Sequence, residues 1–238
     1  MKNLKSILSI VGVLGFTAAT TSNVTACISN ITSNFQEITN WKESNGEIQS
    51  LVNNKNTIYA GTKTGDDKGN LFKITKEDTT TPLTNWKESN GKVQSLLNVN
   101  DTIYVGTKTG DGKGNLFKIT DDDTITALSK WDENNGEIYS LTNSTNESIY
   151  IGTKTGDGQG YLYKVKEDGE NTVVTNWKDT NGEVLSLVND NNTIFVGTRT
   201  IDGKGRLFKV VYTVAIGIFS WSSSGGEVHS LLNVNGIV

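Results

Sequence analysis

The sequence predicts an all-β protein, because a unit of about 45 residues recurs along the chain and each unit divides into four short apolar runs. One tryptophan marks each unit, and the five tryptophans lie 45, 45, 46 and 44 residues apart. Each is followed five positions later by a glycine. They are Trp41, Trp86, Trp131, Trp177 and Trp221. Self-similarity at a fixed period is the signature of a repeat architecture.

The four apolar runs of a unit predict four β-strands, which we name A to D. In the second unit they cover residues 93–97, 102–106, 115–119 and 124–128. They are rich in β-branched and aromatic residues and are separated by Gly, Asn, Asp and Lys, which is typical of strands joined by tight turns. No run has helical spacing over ten positions. Four strands in such a unit match one blade of a β-propeller, and a β-solenoid is the structural alternative.

Counting the units predicts four complete four-stranded blades and an incomplete fifth. Complete units cover residues 47–86, 92–131, 137–177 and 183–221, whereas residues 31–41 match a last strand and 227–238 a first strand with the start of a second. We therefore expect a truncated ring or a piece of a larger protein. Residues 210–218 are apolar where other units are polar, which predicts an aggregation-prone edge. The strand-B core, as in residues 104–107 and 195–198, resembles the Trp-x-Gly-Thr strand of bacterial sensor-type propellers.

Composition and charge exclude several classes of function. The formal net charge is −4, and it becomes −6 without Lys2 and Lys5, with 20 basic against 26 acidic residues. Since the sequence has no basic stripe, we expect no nucleic-acid partner. One cysteine and one histidine exclude an internal disulfide and the usual zinc sites. No nucleotide-binding or cofactor motif is present, so we expect neither a metal nor a cofactor.

The first 26 residues have the layout of a signal peptide that precedes the repeats. A basic start (residues 1–5) precedes an apolar segment (6–19) too short to span a membrane, and small polar residues follow. Residues 24–27, Val-Thr-Ala-Cys, resemble the bacterial lipobox. The resemblance implies that Cys27 carries a diacylglycerol on its sulfur and begins the mature chain. The alternative is an ordinary signal peptide with an incidental free thiol.

These features divide the chain into a lipoprotein signal peptide (residues 1–26), a lipidated linker (27–30) and a β-propeller repeat domain (31–238). The Asn- and Lys-rich composition of the chain is similar to that of surface lipoproteins of mollicutes. The implied location is the outer face of the cell membrane, after export, with acyl chains such as palmitate as the membrane contact.

Two sets of loops are nearly constant between units, and both emerge on one face of a propeller. The D-to-A loops read Trp-Lys-Glu-Ser-Asn-Gly and the B-to-C loops Lys-Thr-Gly-Asp-Gly-Lys-Gly, with few changes, while the loops of the opposite face drift. The candidate ligand-binding residues are Trp41, Asn45, Lys63, Asp66, Trp86, Asn90, Lys108, Asp111, Trp131, Asn135, Lys154, Asp157, Trp177, Asn181 and Asp202. Carboxylate, amide and aromatic groups suit hydroxyl-rich ligands. The alternative is structural, with Gly and Asp fixing turns and Trp wedged between blades.

We expect a non-enzymatic surface module that binds glycan or protein ligands. A glycoside hydrolase needs two carboxylates across the scissile bond, and Glu47 with Asp66 is a candidate pair, but we expect no residue to be unique to one blade. His229 is interpreted as a tolerated substitution in an inner strand. One carboxylate per loop is too few for calcium. A degenerate copy without activity is the third hypothesis.

Overall fold

Four antiparallel sheets of four strands follow one another along the chain, as the repeat predicts. The computed structural model describes residues 40–144, 148–211, 213–220, 226–234 and 238, all within one unit of residues 39–238. The predicted signal peptide, Cys27, the 27–30 linker and Trp221 lie outside the described residues. Among those described there is no α-helix, and no helix has the length and apolarity needed to cross a bilayer.

Each sheet is one blade with its strands in chain order. Blade 1 contains β1 (Glu47–Asn54), β2 (Thr57–Lys63), β3 (Leu71–Ile74) and β4 (Thr80–Pro82). Blade 2 contains β5 (Lys92–Val99), β6 (Thr102–Lys108), β7 (Leu116–Ile119) and β8 (Ile125–Ala127). Blade 3 contains β9 (Glu137–Asn143), β10 (Ile149–Lys154), β11 (Leu162–Val165) and β12 (Asn171–Val173). Blade 4 contains β13 (Glu183–Asp190), β14 (Thr193–Arg199), β15 (Gly205–Val211) and β16 (Val214–Ser220).

The inner strands β1, β5, β9 and β13 contact one another in that order, so each blade packs on the next. A serine in the inner strand links successive blades: Ser95 Oγ donates to Ile138 O at 3.2 Å, and Ser140 Oγ to Val184 O at 3.4 Å. Ser186 Oγ donates in the same way to Val228 O at 3.2 Å. The segment around Val228 therefore takes the inner-strand position of a further unit, in line with the predicted incomplete fifth blade.

The hydrophobic core lies between blades, which is why β6 and β10 are buried on both faces. The glycine of strand B is required there, because a Cβ on Gly106 would lie 2.3 Å from Ile138 Cγ2 of the next inner strand. Gly61 and Gly152 face Val93 and Val184 with the same close approach. The repeated Val-Gly-Thr core is thus a packing feature.

The outer hairpin of blade 4 differs from the others because the apolar segment 210–218 lengthens it. Strands β15 and β16 have seven residues each, whereas β3 and β4 have four and three. Ile216 and Ile218 on β16 are each 44% exposed. These side chains leave apolar surface on an outermost strand, as the sequence predicts.

Candidate functional site

The glycine of the D-to-A loop is constant for a structural reason. Each of these loops contains a 3-10 turn, at Glu43–Asn45, Glu88–Asn90, Glu133–Asn135 and Asp179–Asn181. The glycine that follows has a positive φ, which is 113° at Gly91, and a Cβ there would lie 2.4 Å from Lys108 O. A residue with a side chain would therefore be strained and would collide with the end of strand B.

The tryptophans are also structural, which is one of the two interpretations that the sequence left open for them. Trp86, Trp131 and Trp177 are only 6–7% exposed. Each indole Nε1 donates to a carbonyl of its own blade, as Trp86 does to Gly69 O at 2.9 Å. Each ring also meets an aromatic ring of the next blade, with 5.0 Å between the centroids of Trp86 and Phe117. Trp41 is half-buried and meets Phe72 in the same way.

The predicted asparagines lie at the ends of the 3-10 turns and are partly buried. The main-chain N–H of Asn90 donates to Lys87 O at 2.8 Å, and Asn45 and Asn181 repeat this bond. The side chain of Asn135 is engaged within blade 3, where it accepts from the Tyr163 hydroxyl at 3.4 Å. The structure therefore places these four residues beside the exposed loops without joining them to the lysines and aspartates.

The aspartates of the B-to-C loops are exposed. The side chain of Asp111 is 100% exposed and that of Asp157 is 89% exposed, and each lies 3.8–3.9 Å from the lysine three residues before it. Ion pairs of this kind add little stability. Asp202 differs, because Lys204 and Thr200 contact its carboxylate and lower its pKa to about 2. For Asp66, Asp111 and Asp157 the fold provides no comparable contact.

Two glutamates at the start of inner strands anchor the B-to-C loop of the preceding blade. Glu137 and Glu183 are 0% and 1% exposed. Glu137 Oε1 accepts from Gly112 N at 3.0 Å and lies 3.3 Å from Lys108 Nζ. Glu183 Oε1 accepts from Gly158 N at 3.0 Å, and its other oxygen accepts from Arg199 Nε at 2.9 Å. Buried carboxylates need such partners.

An open hollow of about 470 Å³ lies on this face where blades 1, 2 and 3 meet. We call it the charged hollow. Its lining residues are Lys63, Asp66, Asp67, Lys92, Lys108, Asp111 and Tyr139. Four of them were predicted from the sequence. Glu47, the proposed catalytic partner of Asp66, is not among them, and neither are Lys154, Asp157 and Asp202.

Asp67, Lys92 and Tyr139 were missed by sequence reasoning. Lys92 stands where the other inner strands begin with Glu47, Glu137, Glu183 and Glu227. Asp67 stands where the other loops have Gly112, Gly158 and Gly203. The expectation that no residue is confined to one blade was therefore wrong. Aligning the units position by position would have revealed both departures from the repeat.

The three lysines of the charged hollow lie close enough together to influence one another. Burial and the neighbouring Lys63 and Lys108 lower the pKa of Lys92. Burial and the carboxylate of Glu137 raise the pKa of the Tyr139 phenol. Lys108 contacts Glu137 and Asp111, whereas Lys63 and Lys92 form no ion pair with any described residue.

Two further observations bear on the chemistry of this face. Among the described residues, no group of three or more His, Cys, Asp and Glu side chains is placed to hold a metal ion. His229 forms an ion pair with Glu227, and its side chain is 68% exposed, so it does not line the charged hollow.

No protein-family model and no curated protein matches this chain. Solved structures do match it. Virginiamycin B lyase from Staphylococcus aureus covers 76% of this chain, with a TM-score of 0.56 and 12% identity, and this chain spans 58% of the lyase. The computationally designed Ika4 protein covers 72%, with a TM-score of 0.50 and 17% identity, over 96% of its own length. A protein from Lactobacillus plantarum covers 72%, with a TM-score of 0.50 and 14% identity, over 55% of its length.

Identities this low establish a shared fold and nothing about shared chemistry. The four sequential four-stranded sheets, with inner strands in contact and the core between blades, agree with these neighbours. This chain is a repeat protein with the β-propeller fold.

Proposed function

We propose that this chain is a non-enzymatic binding module of a surface lipoprotein, and that it binds hydroxyl-rich ligands such as glycans at the charged hollow. The observation that carries the proposal is the exposure of Asp66 and Asp111 in the charged hollow and of Asp157 in the equivalent loop of blade 3. The fold explains the constant glycines and tryptophans of this face, but it gives these three carboxylates no structural task. A repeated, exposed and structurally unneeded carboxylate is a candidate for ligand contact.

The chemistry of the charged hollow suits a polyol. Carboxylates accept hydrogen bonds from sugar hydroxyls, ammonium groups donate to ring and hydroxyl oxygens, and a tyrosine offers both an aromatic surface and a hydroxyl. Asp66 and Asp111 supply the first, Lys63 and Lys92 the second, and Tyr139 the third. With the tryptophans buried, Tyr139 replaces them as the aromatic contact in the proposal.

The anchored location is part of the proposal. The lipobox-like residues 24–27 support lipid attachment at Cys27 and display of the propeller on the outer face of the membrane. Repeated Asp and Lys side chains on one rigid face would strengthen attachment to a surface coated with many copies of a glycan.

The test is the triple variant Asp66→Asn, Asp111→Asn, Asp157→Asn, assayed on a glycan array. We expect loss of glycan binding with a melting temperature within about 2 °C of the parent, because exposed ion pairs are worth at most about 1 kcal/mol. The matched control changes three acids of the opposite face, Glu77→Gln, Asp121→Asn and Glu167→Gln, and should keep binding. A triple variant that loses stability in a protein that binds no glycan would overturn the proposal.

A propeller glycoside hydrolase is the second candidate, because Asp67 adds to the charged hollow a carboxylate that is found in one blade only. Two carboxylates on either side of a glycosidic bond are the minimum for hydrolysis. Release of reducing ends from an array-positive glycan, abolished by Asp67→Asn, would favour the enzyme. Binding without turnover would favour the binding module.

A further inference from the structure

The junction between blades 1 and 2 departs from the other junctions at two positions that are in contact elsewhere. At the junctions 2/3 and 3/4, a loop glycine donates its N–H to the first glutamate of the next inner strand, and both bonds are 3.0 Å. At the junction 1/2, Asp67 occupies the glycine position and Lys92 the glutamate position. The glycine–glutamate hydrogen bond of the other two junctions therefore cannot form there. The charged hollow lies at this junction.

The exchange does not restore an ion pair. Asp67 and Lys92 form no salt bridge with each other, and Asp67 Oδ1 is buried without a hydrogen-bond partner. Lys63 and Lys92 likewise pair with no described carboxylate. Below them, Glu137 Oε2 is buried and also lacks a hydrogen-bond partner. Buried polar atoms without hydrogen-bond partners lower the stability of the fold. If the exchange only compensated for the missing glycine–glutamate hydrogen bond, we would not expect it to leave such atoms at this junction.

The ammonium groups of Lys63, Lys92 and Lys108 lie around one hollow. Neither Lys63 nor Lys92 forms a direct ion pair with a described carboxylate, although Glu137 and Glu47 act on Lys92 from a greater distance. Burial is the main cause of the lowered pKa of Lys92, and repulsion from Lys63 and Lys108 lowers it further. An anionic group that enters from solvent would remove this repulsion and form charge-assisted hydrogen bonds. The three aspartates at the same hollow repel a ligand with several negative charges, and their oxygens can accept hydrogen bonds from hydroxyl groups.

We propose that the charged hollow selects an acidic sugar residue, with its single carboxylate on Lys63 and Lys92 and its hydroxyls donating to Asp66, Asp67 and Asp111. The proposal rests on the proposed function, because it names the ligand class of the same site. A ligand with one carboxylate and several hydroxyls can form hydrogen bonds with both the lysines and the aspartates. A dianionic phosphate satisfies the lysines only.

The probe is a hexuronate-terminated oligosaccharide, compared with the same oligosaccharide after reduction of its carboxylate to the primary alcohol. For the full chain, we expect the acidic form to bind at least about tenfold more tightly, because its carboxylate adds charge-assisted hydrogen bonds to the lysines. A tenfold difference in affinity corresponds to about 1.4 kcal/mol. Inorganic phosphate should compete weakly.

The decisive variant is the double change Asp67→Gly, Lys92→Glu, which gives this junction the residues of the other two and so should fold. It should lose the preference for the acidic oligosaccharide and keep the weaker binding of the reduced form. Lys92→Met, which removes only the charge, should act in the same direction. The control is Lys178→Glu, an exposed lysine in the loop that enters blade 4, which should bind like the parent.

The outcomes separate this inference from the proposed function. Equal binding of both oligosaccharides, lost in the triple aspartate variant, would overturn the acidic-sugar inference and leave the binding function intact. Phosphate that competes as well as free hexuronate would overturn it as well, since the site would then be a simple anion site. Absence of binding to either oligosaccharide and to the array would overturn both.

Discussion

Tyr163 occupies in blade 3 the position that Phe72, Phe117 and Phe208 occupy in the other blades. Its ring packs edge-on against Trp131, with 5.3 Å between the centroids, and its hydroxyl donates to Asn135. Burial, with smaller effects from Tyr161 and Asp132, raises the pKa of this phenol to about 12. The neutral phenol is thus favoured in the folded state.

We predict that this tyrosine makes the protein sensitive to alkali. Because the folded-state pKa of Tyr163 is raised, its contribution to stability is complete below about pH 10 and is lost as pH rises from 10 towards 12. The Tyr163→Phe variant lacks this titration. Urea unfolding at pH 8 to 12 should show the parent losing up to about 2–3 kcal/mol more than the variant over that window.

Ultraviolet titration of the phenols provides the control, since the variant should lack one late-ionising tyrosine. Parallel stability curves for the two proteins up to pH 12 would contradict the assignment.

For single residues, the sequence predicts which types of side chain occupy the loops better than it predicts what those side chains contact. The repeated polar loops single out four residues that line the charged hollow together: Lys63, Asp66, Lys108 and Asp111. The tryptophans were named with them, but they pack between blades. The distinction depends on which way a loop residue points, and this is set by contacts with the next blade that no single unit contains. Lys92 was missed because it stands out only when it is compared with the glutamates at the equivalent positions of the four other units.

Among the structural elements, strand B carries a strict packing requirement. A methyl group on Gly106 would lie 2.3 Å from Ile138 Cγ2 and 2.5 Å from Ser95 Oγ, both on inner strands. The neighbours can relieve this contact only by moving β6 away from β9. Since a close-packed interior resists such shifts, the cost falls on the whole blade interface.

We predict that Gly106→Ala lowers the free energy of unfolding by about 3 kcal/mol, as measured by urea denaturation. Gly110→Ala is the matched control, because a Cβ at that position meets nothing within 4 Å. Its effect should be within about 1 kcal/mol and in the direction of greater stability. Similar losses for both variants would refute the packing explanation.

The strands were predicted more fully than the candidate site. The patterns that predict a strand, which are alternating apolar residues and flanking turn residues, lie within a short stretch of sequence. The predicted runs at 93–97 and 102–106 became β5 (Lys92–Val99) and β6 (Thr102–Lys108). The 3-10 turns of the D-to-A loops were not predicted, because three residues are too few for a periodic pattern. The long hairpin of blade 4 was detected only as an unusual apolar stretch. Its pairing of Val211 with Val214 required the structure.

For the whole molecule, contacts between blades run from each blade to the next on both faces. On the face opposite the charged hollow, Lys73 of blade 1 pairs with Asp123 of blade 2, and Lys118 of blade 2 with Glu167 of blade 3. In both pairs, the equivalent lysine of strand C contacts an acidic residue in the C-to-D loop of the next blade. Stability is therefore distributed over similar interfaces, as in other repeat proteins.

The predicted anchor also belongs to this scale, because it determines where the molecule works. We predict that Cys27→Ser abolishes incorporation of labelled palmitate in a bacterial host and moves the protein from the detergent phase to the aqueous phase. Two acyl chains hold a protein on a membrane, whereas the polar mature chain does not. Ser29→Ala, which leaves residues 24–27 unchanged, is the control. Labelled palmitate on the Cys27→Ser protein would disprove this site.

The buried glutamates have a consequence for how such a chain can evolve. The loop of blade 2 is anchored by Glu137 of blade 3, and the loop of blade 3 by Glu183 of blade 4. The unit that is copied in a gene and the unit that shapes a loop are therefore offset by one strand. A duplicated repeat brings its own loop but inherits the anchor from whichever repeat follows it. A change of both the loop and its anchor at one junction thus involves positions in two neighbouring copies, as Asp67 and Lys92 do.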